Sequence, residues 1–154
     1  MRVLALDVGD RRIGVALSDP TGIIASPLMT IHRSNEKRDQ QTIVELVAEH
    51  EVEQVVIGMP WTLRGEVGPQ AQKVIRFGKR LEERLSVPVV YWDERHSTSD
   101  AERIIGLRGR KRGRSASGRV DEVAAAVILQ SYLDRLLSSA SFGTPDYTPE
   151  DEAE

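Results

Sequence analysis

The sequence predicts an α/β fold: a five-stranded mixed sheet in the order βββ-α-β-α-β-α-α, with helices on both faces. Three observations predict it. Up to Ala25, short apolar runs are broken by tight turn residues, the pattern of an antiparallel meander. Beyond residue 36 the period changes, and amphipathic stretches alternate with short, wholly apolar strands of the kind that pair in parallel and are covered by helices. The length of 154 residues suits one domain at about 150 residues per domain.

Val3, Leu4, Ala5 and Leu6 form the first strand and run into Asp7. The turn Gly9-Asp10-Arg11-Arg12 follows, and Ile13, Val15 and Leu17 share one face of the second strand. Asp19-Pro20-Thr21-Gly22 supplies turn residues, and a third strand starts at Gly22-Ile23-Ile24-Ala25. Residues 36–50 put Ile43, Leu46, Val47 and His50 on one helical face. Val55, Val56 and Ile57 make a buried strand ending at Gly58-Met59-Pro60. A second helix, from Pro69 to Leu85, buries Ala71, Val74, Gly78, Leu81 and Leu85. Val87 to Trp92 is the fifth strand, closing at Asp93-Glu94-Arg95. Ser99 and Glu102 have capping-box spacing and open a short helix through Leu107. Residues 119–138 form a last helix rich in Ala, Val, Ile and Leu. The folded domain is expected over 1–138, and 139–154 has the composition of a disordered acidic tail.

Composition narrows the chemistry. With 40% hydrophobic and 29% charged residues the chain reads as a soluble globular protein. No cysteine is present, which removes disulfides, thiolate metal sites and a cysteine nucleophile. His32, His50 and His96 are too scattered for a histidine metal cage. Asp7 interrupts the N-terminus before a signal-peptide core could form, and no apolar run approaches the roughly 20 residues of a membrane span. A cytoplasmic protein with no membrane partner is expected. The net charge of −3 hides an asymmetry, because the last nine residues take five of the 24 acids and leave 19 acids against 21 bases. Arg108, Arg110, Lys111, Arg112, Arg114 and Arg119 form a segment without an acid, suited to a polyanion.

Three places carry acids where chemistry could sit. Asp7 ends an apolar strand, at the edge where open α/β sheets place ligands. Asp93 and Glu94 end another, and because successive residues of an extended chain face opposite ways, at most one of them joins a shared site. Asp121 opens the last helix. Each has an ordinary explanation as a turn, strand-end or helix-start residue. Together they offer hard oxygen donors, and like-charged carboxylates converge comfortably only around a cation such as magnesium or manganese. One or two such ions can activate a water and stabilise a leaving phosphate oxygen. An acidic pocket beside a basic approach suits phosphodiester hydrolysis.

Four ordered motifs carry a resemblance. DVGDRRIGVA at 7–16, VIGMP at 56–60, DERHST at 93–98 and VDEVAAAVILQSYL at 120–133 resemble the YqgF/RuvX family, over about residues 1–137. The resemblance implies an RNase H-like fold and a metal-dependent nuclease acting on structured nucleic acid. It further implies work on the 5′ end of small-subunit pre-rRNA, on branched, Holliday-junction-like DNA, or on both. It places the catalytic, metal-holding acids on Asp7, Glu94 and Asp121. Arg95, Thr98 and the basic segment, Arg108, Arg110, Lys111, Arg112, Arg114 and Arg119, are then expected on nucleic-acid phosphates. Thr98 and Ser99 would donate at a helix N-terminus, although plain capping accounts for them equally. Trp61 and Arg64 could stack on a base, or Trp61 could simply cover the core. His96 departs from the family, many of whose members carry leucine there.

Two other classes remain open at this point. A non-enzymatic RNA- or protein-binding module of ribosome biogenesis or transcription needs only the basic segment. Phosphoryl transfer by an actin-like or sugar-kinase-like fold needs two such domains, and one is all this length supplies. A two-fold dimer would suit a branched substrate.

Overall fold

The computed structural model describes residues 1–61, 64–94 and 116–141. Among the described residues eight elements follow in order: β1 (Val3–Val8), β2 (Arg12–Ser18), β3 (Ala25–His32), α1 (Glu36–Glu49), β4 (Gln54–Met59), α2 (Pro69–Glu82), β5 (Val89–Asp93) and α3 (Ala116–Ser141). The helix expected from Ser99 to Leu107 lies outside the described residues. The strands form one sheet in the order β3-β2-β1-β4-β5. β1, β2 and β3 pair antiparallel, whereas β4 joins β1 and β5 joins β4 in parallel. The expected meander therefore continues into parallel strands.

Side-chain alternation sorts the sheet into two faces. Leu4, Leu6 and Val8 of β1 join Ile43 and Val47 of α1 and Val74, Phe77 and Leu81 of α2 in one core. Val3 and Ala5 of β1 meet Ala125, Ala126, Leu129 and Leu133 of α3 in the other. β1 is central and covered on both sides, which is why its sequence is apolar without alternation. Tyr132 and Trp92 fasten α3 to the sheet. Their rings meet edge to face at 5.4 Å; Trp92 Nε1 donates to Ser131 Oγ at 3.2 Å, and Tyr132 Oη donates to Gln54 Oε1 at 3.0 Å.

Several boundaries differ from the sequence reading, each for a local reason. β3 begins at Ala25 rather than Gly22, because Asp19 Oδ1 accepts the backbone N–H groups of Ile23 and Ile24, both at 2.8 Å, and holds them in the turn. Those bonds also hold the Asp19 carboxyl well below the usual range, Ile24 contributing most. In α1 the buried face is Asp39, Gln40, Ile43 and Val47, rotated from the expected one. Asp39 turns inward to meet Arg33 at 3.5 Å, so a polar pair occupies a position that hydrophobic periodicity does not mark. α2 stops at Glu82 and buries Phe77 as well, while Leu85 packs against the core from beyond its end. α3 starts at Ala116 and runs to Ser141, longer at both ends than residues 119–138.

Candidate active site

The same alternation that builds the two cores aims the acids. Val3, Ala5 and Asp7 continue one series, so Asp7 faces α3. On β5, Val90 and Trp92 pack on the α3 side and Val89 and Tyr91 on the other. Asp93 follows the second series and is buried, and Glu94 follows the first. Of the two adjacent acids it is therefore Glu94 that reaches Asp7, and their carboxyl groups share a hydrogen bond. Such a bond needs a proton on one partner.

Two glycines make room for the third element. Gly14 stands beside Asp7 in the β1–β2 register. A Cβ there would lie 1.9 Å from the Asp121 carbonyl oxygen, so only glycine lets α3 descend onto β2 at this height. Gly58, on β4, would meet Ile128 Cδ1 at 2.6 Å and Glu94 Oε1 at 3.0 Å if it carried a Cβ. Its bareness is what lets Glu94 fold back over the sheet end.

The electrostatics follow from that crowding. The Asp7 carboxyl is pushed up to about 6, first by burial and then by the charge of Asp121, against the hydrogen bond from Glu94. Glu94 is pushed up to about 7, first by burial and then by the charges of Asp7 and Asp93. Asp121 instead has a cation beside it: Arg12 Nε lies 2.9 Å from its Oδ2. That oxygen is buried and accepts no hydrogen bond, so the contact is one of charge alone. Among the described residues no three acid or histidine side chains are gathered tightly enough to ligate one ion as they stand. Asp7 with Glu94 forms one half of the site and Asp121 with Arg12 the other.

The remaining expectations divide. Arg95, Thr98, Ser99, His96, Arg108, Arg110, Lys111, Arg112 and Arg114 lie outside the described residues. Arg119 is placed on the first turns of α3 by its backbone. Trp61 packs partly buried against the α1/α2 core, and Arg64 is exposed. Met59 is fully buried and Met29 partly so, both as core residues. Sequence reasoning missed Arg12, Gly14 and Gly58 as parts of the site. Gly14 does end the D-x-G-x-x-x-x-G pattern begun at Asp7, but its task depends on a helix more than 100 residues away.

A meander extended by parallel strands, with carboxylates at the ends of β1 and β5 and a third on the helix crossing the sheet, defines the class of RNase H-like proteins. Solved structures agree on the fold. Thermus thermophilus RuvC in complex with a Holliday junction substrate superposes with a TM-score of 0.61 at 14% identity, covering 90% of this chain and 98% of that one. The family described as "RuvX: Holliday junction resolvase" matches residues 1–135, and the chain belongs to it. A relative from Caldanaerobacter subterraneus subsp. tengcongensis, named "Putative pre-16S rRNA nuclease", is 49% identical over 87% of this chain and 96% of its own. One of the same name from Thermoanaerobacter pseudethanolicus is 43% identical over 87% and 96%.

Proposed function

We propose that this protein is a nuclease, dependent on magnesium or manganese, that hydrolyses phosphodiester bonds in structured nucleic acid. Its leading substrate is the 5′ end of small-subunit pre-rRNA. The observation that carries the reading is the convergence of Asp7 with Glu94 and Asp121 at one end of the sheet, from three elements far apart in sequence. The names of relatives sharing nearly half their residues support the RNA substrate. Branched DNA is the second substrate, supported by the family description. A cytoplasmic location and, for a branched substrate, a two-fold dimer belong to the same proposal.

The donor chemistry suits a hard divalent cation. Carboxylate oxygens are its preferred ligands, one of them, Asp121 Oδ2, is buried without a hydrogen bond, and the Asp7–Glu94 contact becomes a like-charge conflict once both groups ionise, which a cation relieves. Asp7, Glu94 and Asp121 would hold one or two such ions. When bound, the metal lowers the pKa of water and offsets charge on the attacking and leaving oxygens. Asp7 interacts with both of the others, through a hydrogen bond with Glu94 and through charge with Asp121. Glu94, packed against Gly58, holds its carboxyl group at the sheet end while the water oxygen joins phosphorus and the bond to the 3′ oxygen breaks. The products carry a 5′-phosphate and a 3′-hydroxyl. Arg12 can turn from Asp121 toward the phosphate, since its side chain is partly exposed. Arg95, Thr98 and the basic segment from Arg108 to Arg119 would hold the flanking strand.

The test is a cleavage panel. Purified protein and Asp7→Asn are offered single-stranded RNA, a pre-rRNA 5′ segment, DNA duplexes and four-way junctions, with magnesium, manganese or EDTA. Metal-dependent cutting lost in Asp7→Asn supports the reading, and the substrate ranking separates RNA maturation from junction resolution. Cutting unchanged in a folded Asp7→Asn protein would overturn it.

A further inference from the structure

On the other face of the sheet edge, behind the Gly9 turn, lies a cavity of about 220 Å³. Its floor is apolar, with Val8, Val74 and Phe77, and its rim carries Arg33, Lys73, Arg76 and Arg80. Three of these cations come from α2 at positions 73, 76 and 80, the three- and four-residue steps that put side chains on one helical stripe. Asp10 and Glu36 also line it. Even counting Asp39, which lies behind Arg33, cations outnumber acids four to three.

The cations differ in how they are held. Arg33 is fixed: Nη1 donates to the Gly9 carbonyl at 2.8 Å, Nε faces Asp39 at 3.5 Å, and the guanidinium carbon stands 5.2 Å from the centre of the Phe77 ring. Lys73 and Arg80 make exposed pairs with Asp10 and Glu36, at 3.5 and 2.6 Å. Such pairs are worth at most about 1 kcal/mol and yield readily to a better acceptor. Arg76 makes no hydrogen bond or ion pair among the described residues.

We infer that this cavity is a second phosphate-binding site, which takes a backbone phosphate of the nucleic acid flanking the one at Asp7. The inference rests on the nuclease reading and adds a contact surface to it. The Gly9 turn is the common wall: Asp7 stands on its α3 side, and Arg33 grips Gly9 from the cavity side. A strand crossing the sheet edge at Asp7 meets the cavity next. Guanidinium forks match phosphate oxygens, and a rim of four cations is unsuited to an apolar ligand. A base has no stacking surface there, because Arg33 already covers Phe77. The site therefore contributes affinity without sequence choice.

The experiment compares wild type with Lys73→Gln/Arg76→Gln and with Lys79→Gln/Arg135→Gln. The second pair removes two exposed charges that do not line the cavity. A fluorescent structured RNA and a four-way DNA junction are titrated in EDTA, by anisotropy, at several salt concentrations. The cavity variant should bind both at least about fivefold more weakly, and its slope of log affinity against log salt should fall by about 2. The control should change neither by more than a small fraction of that. Equal losses in the two variants, or an unchanged slope in the cavity variant, overturn the site. If wild type cuts nucleic acid while the cavity variant binds normally, only this inference falls. If wild type neither binds nor cuts, the nuclease reading falls with it.

Discussion

Asp7→Asn should make the metal-free protein more stable at pH 8, even as it abolishes cleavage. In the wild type, Asp7 rises from an ordinary 3.8 to about 6. Ionising it in the folded protein therefore costs about 3 kcal/mol more than in the unfolded chain. Glu94, at about 7, contends for the same proton and is partly solvated, so its cost overlaps with that figure and is not added to it. The sign follows from proton binding: between about pH 4 and pH 7 the folded state holds more protons than the unfolded one. The contribution of this pair is therefore present at low pH, falls as pH rises through that window, and is flat above it. Asparagine removes one charge and can donate to Glu94, so about 1–3 kcal/mol should return at pH 8, or about 3–10 °C in Tm. Little should return at pH 5, where the wild type already shares a proton. The assay is thermal unfolding by circular dichroism in EDTA at both pH values, repeated with magnesium or manganese. The metal should stabilise wild type more at pH 8 than at pH 5, and Asp7→Asn should lose most of that gain. An asparagine variant no more stable than wild type at pH 8, or equally stabilised at pH 5, would refute the account of charge crowding.

Other perturbations test the supports. Gly14→Ala sets a methyl group against the Asp121 backbone, which cannot rotate away, and should cost about 3 kcal/mol in chemical denaturation together with cleavage. Asp39→Asn leaves the partly buried Arg33 without its counter-ion, for a loss of about 2–3 kcal/mol; a loss below about 0.5 kcal/mol would show that Gly9 alone suffices to hold it. Arg12→Gln removes the cation that competes for Asp121, so manganese affinity measured by calorimetry should rise about two- to fivefold, and an unchanged or weaker affinity would deny that competition.

How much could be read along the chain depended on how local the cause was. The meander, the two parallel strands that follow it and the apolar stripe of α2 follow from residues within a turn or two of one another, and they appear where periodicity puts them. Asp7 stood out because it ends an apolar run. Its direction did not, since β1 is apolar on both faces and gives no parity from which to tell one side from the other. Alternation likewise said that only one of Asp93 and Glu94 could join a site. Choosing Glu94 needed to know which face α3 covers, or the family motif that stands in for that knowledge.

Gly14, Gly58, Arg12 and Asp39 belong to a different order of cause. Each is conformationally ordinary in its own strand, turn or helix. Gly14, Gly58 and Arg12 acquire their roles from an element distant in sequence: α3 pressing on Gly14, Glu94 folding over Gly58, Asp121 meeting Arg12; Asp39 acquires its own from Arg33, six residues back across the turn between β3 and α1. The cationic cavity is similar, because Arg33 and the basic stripe of α2 share a wall only after β1, α1 and α2 have packed. Propensity and periodicity act over a few residues, and so the chain announces its strands, its helices and its acids. Contacts between carboxylates, and the glycines that permit them, arise from close packing across the whole sheet, where one missing Cβ decides whether three charges meet.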